Sequence, residues 1–345
     1  VVILSLFTIF FWWAFEQAGS SMTVFARNFT DRFLAGTAAS IFTVVNTALT
    51  LIPLIIITWV LFQLFKLTIK KYPISVGALA LSFVMIWGIA LWMLNNEFNM
   101  KAYEVTYTQE QVVDGETSLI TQNPVIRVSE ELNPGDQIYM IQLKGKYRPI
   151  SDEDAPEFKS IIRATVKEYK GNETEVPASW FGILNSFFII AFAPLFSKLW
   201  ETKLNPSGPV KFAIGLILLG LGFAILAFGA SSIPNGAETA QISMVFLILA
   251  YLFHTLGELT LSPVGLSYVS ELTPPNLLGI IFGVWFGATA IANYLGGMTA
   301  SFIDRISETA GLSSFFLIFT FIPIGAGVVL ILISPMIKKK MHGIH

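Results

Sequence analysis

Apolar residues run for about twenty positions at a time, eight times along the chain, and polar residues collect in the gaps. The runs occupy about 1–23, 38–65, 74–95, 179–199, 211–231, 242–268, 277–302 and 313–337. Roughly twenty apolar residues are what an α-helix needs to cross the hydrocarbon core of a bilayer, so each run predicts a transmembrane helix. The gaps carry turn chemistry: Lys66, Lys70, Lys71 and Pro73; Asn205-Pro206-Ser207-Gly208; Pro234-Asn235-Gly236; Thr273-Pro274-Pro275-Asn276; and Asp304-Arg305. These predict loops between helices. One gap, residues 97–178, is too long for a loop. Within it Ala102–Thr108, Ser118–Val128 and Gln137–Lys146 are rich in Val, Ile, Tyr and Thr and are separated by Asp114-Gly115, Asn123-Pro124 and Asn133-Pro134-Gly135, which predicts short strands joined by tight turns. Ser151 and Asp152 are placed to cap a helix running to about Tyr169, with Phe158, Ile161, Ile162 and Val166 on its apolar face.

Composition agrees with a chain solvated mostly by lipid: 54% of the 345 residues are hydrophobic and 13% charged, with a mean hydropathy of +0.67. The charge is unevenly spread. Residues 97–178 hold 9 of the 21 Lys+Arg and 15 of the 23 Asp+Glu, a net charge of −6. Few large apolar residues lie in this module, so it is expected to lean on the membrane helices or on an extracytoplasmic partner. Alternating the eight spans puts Lys66, Lys70, Lys71, Lys198, Lys203, Lys211 and Lys338 to Lys340 on one side; the short loops of the other side hold Arg27, Arg32 and Arg305. The positive-inside rule makes the lysine side cytoplasmic and residues 97–178 extracytoplasmic, in a multi-pass protein of a bacterial-type inner membrane. The chain starts at Val1, already apolar, without an initiator Met, a basic n-region or a cleavage site. It reads as a fragment of a longer protein rather than as one led by a signal peptide. The absence of cysteine excludes disulfides and thiolate chemistry. Sparse, juxtamembrane basic residues give no support to nucleic-acid binding, and nothing resembles a metal-ligand cluster, a phosphate loop or a serine triad.

Candidate chemistry therefore lies in the membrane. Glu16 and Glu258 are the acidic residues inside the apolar runs, and a carboxylate at that depth usually moves ions or holds a substrate. Glu16 belongs to Phe11-Trp12-Trp13-Ala14-Phe15-Glu16-Gln17-Ala18-Gly19-Ser20-Ser21. It suits proton exchange, or simply an ion pair with a neighbouring helix. Glu258 belongs to His254-Thr255-Leu256-Gly257-Glu258-Leu259-Thr260-Leu261-Ser262-Pro263-Val264-Gly265. Residues 254, 258 and 262 share a helix face, which suggests a water-filled path, and Pro263 predicts a kink. His254, one turn from Glu258, is a candidate proton relay or a histidine hydrogen-bonded near the outer end of its helix. Asn185 is an amide inside an apolar span, suited to bonding across helices or to a substrate. Gly279, Gly283 and Gly287 recur every fourth residue, which predicts close helix packing.

These runs resemble the proton-dependent oligopeptide transporter (POT/PTR) family of the major facilitator superfamily. Phe11–Ser21 resembles the family's seventh helix with its FWxxFEQxGSS run. Trp180–Trp200, with Leu184-Asn185 and Ala193-Pro194-Leu195-Phe196, resembles the eighth. Gly257 to Ser267, then Gly283-Val284-Trp285-Phe286 and Asn293, resemble the tenth and eleventh. The resemblance implies an all-α membrane protein: a C-terminal six-helix bundle with two inserted transmembrane helices and a small α+β extracytoplasmic module. Its parts would be residues 1–27 as family helix seven, 28–96 as an inserted hairpin, 97–178 as the module, and 179–345 as helices eight to twelve. Two inserted spans preserve the orientation of everything after them. Ser186 departs from the proline the family commonly has after the asparagine, and the N-terminal half with its ExxERF-type motif is absent from this sequence.

The resemblance further implies proton-coupled symport of di- and tripeptides by alternating access. Asn185 and Glu258 would receive the peptide's amino terminus, Trp285 would line the pocket and help gate it, and Glu16 would alternate between a proton and an arginine of the N-terminal half. No enzymatic activity is expected, and no cofactor beyond protons as the coupling ion. The partners implied are the peptide, the bilayer and the other six-helix half. Other readings keep the fold and change the cargo to nitrate or an amino-acid derivative, or make the protein a non-transporting scaffold or receptor that uses the outer module.

Overall fold

A computed structural model describes the chain apart from residues 1, 114–115, 144–145, 152–159, 172, 204, 238 and 341–345. The chain forms two compact units, Val1–Arg32 with Pro177–His345, and Phe33–Val176. Among the described residues, eight helical stretches are long and apolar enough to cross a membrane, at the positions the apolar runs predict.

The first unit is a helix bundle. It contains α1 (Val2–Phe15), α2 (Ser21–Asn28), α5 (Phe181–Trp200), α6 (Gly208–Ala230), α7 (Met244–Glu271), α8 (Leu278–Ala300), α9 (Ile303–Ala310) and α10 (Leu312–Lys340). Helix α6 is the centre, packed between α7 and α10, while α1 lies against α8, α10 and α6, and α5 lies on α7. Glycine makes these approaches possible, because lipid offers helices no hydrophobic drive to associate and contact must come from close packing. A Cβ on Gly257 would lie 2.7 Å from the Gly215 carbonyl oxygen, and one on Gly220 would lie 2.8 Å from that of Thr320. Large aromatics, Phe212, Phe223, Phe315, Phe316 and Phe319, fill the remaining core.

Two local outcomes differ from the sequence expectations. The Asp304-Arg305 break is not an open loop but the short helix α9, ended by Gly311 at a left-handed φ of 82°. Gly279, Gly283 and Gly287 are not packing contacts: a Cβ on any of them meets nothing within 4 Å, since they lie on a side of α8 that no other described helix covers.

The second unit joins a helical hairpin, α3 (Gly36–Thr68) and α4 (Pro73–Asn99), to a β-sheet. In α3 the buried residues are Ala39 and Phe42, and in α4 they are Val76 and Leu94. Among the described residues, nearly every side of the hairpin is therefore uncovered. Strands β3 (Lys101–Val113), β4 (Glu116–Gln122), β6 (Gln137–Leu143), β7 (Lys146–Ile150) and β8 (Ile162–Gly171) form the order β4-β3-β8-β6-β7, with β5 (Val125–Val128) also paired to β3. A short pair, β2 (Phe33–Ala35) with β9 (Glu173–Glu175), completes the unit.

Alternation builds the core of this sheet. Tyr103, Val105 and Tyr107 point inward from β3 and meet Ile126, Met140, Ala164 and Val166. The Tyr107 and Tyr147 hydroxyls, 2.7 Å apart, both reach the Gln122 side-chain oxygen. Burial and the bond to Tyr147 push the Tyr107 phenol well above its ordinary value. On the other face Lys167 and Lys170 donate to Glu104 and hold its carboxyl below the usual range.

The helix expected to run to Tyr169 does not extend over residues 162–169. Residues 162–171 are β8, which pairs with both β3 and β6; Asp152 and Phe158 lie outside the described residues. Ile162, Ala164 and Val166 turn inward with a period of two, and pairing on both edges decides between two patterns that these apolar residues satisfy equally. Among the described residues the module is a β-structure. Its attachment to α4 is polar: Arg127 on β5 donates to Glu97 at 2.8 Å, and the Thr174 hydroxyl donates to the same oxygen at 3.2 Å.

Candidate functional site

Asn185 and Glu258 meet across α5 and α7. The Asn185 amide donates to the Glu258 carboxylate at 2.9 Å and to the Thr255 hydroxyl at 3.1 Å, and Thr255 in turn donates to the Tyr251 carbonyl at 2.8 Å. Glu258 and Asn185 are half-buried, whereas Thr255 is fully buried. The carboxylate is thus held by one amide and keeps acceptor capacity for an incoming donor. Thr255 carries no charge or motif signal that marks it as a site residue in the sequence. Its position three residues before Glu258 is the sequence signal that it could share the same partner.

His254 does not share that environment. It is buried against the Phe223 ring, with centroids 4.4 Å apart, and a Cβ on Gly222 would lie 2.5 Å from its ring. Neither ring nitrogen has a hydrogen-bond partner among the described residues. A step of four residues advances about 40° around a helix. That rotation aims His254 toward α6 while Glu258 faces α5, so the three polar positions do not form one continuous path. Helix α7 runs unbroken from Met244 to Glu271 through Pro263.

Trp285 on α8 is buried, its ring edge-on to Phe212 with centroids 6.1 Å apart. A Cβ on Gly265 would sit 2.5 Å from the indole, so the glycine is what admits the ring. Gly265 follows Glu258 by about two turns, roughly 10 Å along the axis. Trp285 therefore stands beyond the Asn185–Glu258 pair along the axis rather than beside it.

Glu16 is exposed on a 3₁₀ turn, Glu16–Gly19, that separates α1 from α2. The turn forms because Gly19 is a weak helix former and because the Ser20 and Ser21 hydroxyls bond back into it. Gln17 pins it. Its fully buried amide donates to the Gly296 carbonyl at 3.0 Å and accepts from Ser21 at 2.8 Å. Trp13 adds a bond to Thr299 at 3.0 Å, and the Tyr251 hydroxyl donates to the Ala18 carbonyl at 3.2 Å. The turn that presents Glu16 is consequently fixed to α8 and α7. Gln17 matches the motif, but only the fold makes it the buried clasp.

Fold and site together define a multi-pass integral membrane protein, a helix bundle with a half-buried carboxylate–amide pair. Residues 162–317 match the POT family model (PTR2). An uncharacterized transporter, YclF, of Bacillus subtilis is 41% identical over 172 residues, covering 49% of this chain and 33% of the relative. Peptide transporter YePEPT of Yersinia enterocolitica is 37% identical over 128 residues, 36% of this chain and 25% of the relative. A crystal structure of a peptide transporter POT in complex with sulfate aligns with a TM-score of 0.42 at 31% identity, over 48% of this chain and 32% of that one. The chain thus spans a third or less of the length of these relatives.

Proposed function

We propose that the intact protein is a proton-coupled symporter of di- and tripeptides in a bacterial inner membrane, and that this chain supplies the C-terminal half of its cavity. The Asn185–Glu258 pair carries the reading. A carboxylate held by one amide, half-buried in a membrane bundle, presents negative charge to a peptide's ammonium and discriminates against ligands without one. The family match supports the class, and the name of the Yersinia relative supports peptide as the cargo.

In this mechanism the ammonium docks on Glu258 while Asn185 keeps the carboxylate oriented. Glu16 takes a proton from the outer side, which releases an ion pair with an arginine of the other six-helix half, and surrenders it inward after the halves rock about the bound peptide. Helix α8 connects the two events. Gly296, which anchors the Glu16 turn, stands eleven residues from Trp285, about 16 Å along one rigid helix. Trp285 then closes the pocket's far end. His254, set among aromatics, is assigned to packing; an unchanged pH profile of uptake in His254→Ala would agree, and a displaced one would restore it as a relay.

Helices α3 and α4 with the sheet are read as an insertion between family helices seven and eight, its β-module lying outside the membrane. The division of the chain into two units, and a family match that takes in α5 to α9 after the hairpin, support this. The test of function is uptake of labelled dialanine by the intact protein in proteoliposomes under an inward proton gradient. Accumulation that collapses with a protonophore is the expected result. No accumulation by folded protein would reject peptide symport.

A further inference from the structure

Tyr251 touches both ends of the proposed transport cycle. It lies on α7 seven residues before Glu258, which is about 10 Å along the axis and within about 20° of the same face. Its side chain is buried, only 4% exposed. The two polar groups of this one residue meet different partners. Its carbonyl accepts from the Thr255 hydroxyl at 2.8 Å, and Thr255 accepts at 3.1 Å from the Asn185 amide that also holds Glu258 at 2.9 Å. At the far end of its ring, the hydroxyl donates to the Ala18 carbonyl at 3.2 Å. Ala18 lies within the turn that presents Glu16.

A bond needed only for folding would not take this form. The Ala18 carbonyl already accepts from the Thr23 hydroxyl at 3.0 Å, so it is satisfied without Tyr251. Gln17 separately fixes the same turn to α8. What the Tyr251 hydroxyl adds is a connection from the turn to the Asn185–Glu258 pair, and hydrogen-bond networks through packed side chains are a medium that carries coupling between sites. Glu16 is the carboxyl on this turn. Of the elements packed against it, α1 has no titratable residue, α2 has Arg27, which donates to Asn28 at 3.0 Å, and α8 has the exposed Tyr294. Helix α7 brings His254, which faces α6, and Glu258, which faces α5.

We propose that Tyr251 is a positioning residue that couples peptide binding to proton binding, holding the Glu16 turn through its hydroxyl and the Asn185–Glu258 pair through its carbonyl. This coupling rests on the symport reading and deepens it. An ammonium on Glu258 and a proton on Glu16 then favour each other, and by linkage each raises the affinity for the other.

The test is binding of labelled dialanine to the intact protein in lipid nanodiscs, across the pH range over which uptake falls, for the unsubstituted protein, Tyr251→Phe, Glu16→Gln and the double variant. Acidification is expected to tighten binding about tenfold in the unsubstituted protein and less than about twofold in Tyr251→Phe. In the Glu16→Gln background Tyr251→Phe should change nothing, because the carboxyl it acts through is gone. Titration of Glu258 itself is common to all the variants and cancels in the comparison. A general loss of stability would lower binding at every pH and leave the ratio unchanged. Thr255→Val should reduce the pH effect as Tyr251→Phe does and Thr255→Ser should retain it, a pair that decides the matter if Tyr251→Phe does not fold. An undiminished pH effect in folded Tyr251→Phe, or in folded Thr255→Val, would overturn the coupling and leave symport standing. An unsubstituted protein that binds no dialanine, or binds it equally at every pH, would reject the symport reading and this coupling with it.

Discussion

Helices α6 and α3 are both long and apolar enough to span a bilayer, yet 61% of the apolar stretch of α6 is buried by protein and none of α3's is. Hydrophobicity tells a helix which solvent it tolerates. It does not tell it what to pack against, and the glycines do that: Gly215, Gly220 and Gly222 of α6 each face another helix at less than Cβ distance, whereas Gly77 and Gly88 of α4 face open space. Polar groups divide the same way. In the bundle they cross between helices at Asn185–Glu258, Gln17–Gly296 and Trp13–Thr299. The hairpin is tied across its exposed surface by Trp87 donating to Thr58 at 2.9 Å. One unit is organised around a site, and the other around an anchor.

The sharpest way to break this contrast is to add a side chain at matched positions. Gly257→Val drives a methyl into the backbone of α6, which cannot yield as a flexible side chain can, and should cost about 3 kcal/mol. Gly88→Val should stay within about 0.5 kcal/mol. Thermal unfolding in detergent reads both, and equal effects would sink the packing distinction.

Next in size is Asn185→Ala, which removes the amide donor to Glu258 and is expected to weaken peptide uptake about tenfold with the protein still folded. Smaller again is Glu97→Gln, which breaks the partly exposed pair with Arg127 and should loosen the sheet by about 1 kcal/mol without altering the bundle; limited proteolysis of residues 97–176 would report it. The smallest effect belongs to Glu104. Its folded carboxyl titrates below the ordinary value of 4.5, so its ion pairs stabilise fully above that pH and are lost as pH falls beneath it. The module should become less stable to denaturant over that acid range, and Glu104→Gln should flatten the slope.

The spans were readable because a bilayer imposes length and polarity on each helix independently of its neighbours. What required neighbours was not. The apolar residues between 158 and 166 fit a helix face, and Ile162, Ala164 and Val166 fit a strand as well; pairing with β3 and β6 chose the strand. The glycine repeat at 279, 283 and 287 has the spacing of a contact, but spacing does not supply a second helix. Within the candidate site, Asn185 and Glu258 stood out as polar groups in apolar runs. Thr255 and Gln17 gained their places only once α5 and α8 lay beside them. His254 shows the limit of face arguments, since a 40° rotation separates an aromatic core from a polar cross-link.

The central claim is that Glu258 receives an ammonium. Competition against labelled dialanine uptake by dialanine and by N-acetyl-dialanine, which lacks that charge, tests it most directly in proteoliposomes of the intact protein. Acetylation is expected to weaken competition at least about tenfold, and Glu258→Gln to abolish the difference. Equal competition by the two peptides in the unsubstituted protein would contradict it.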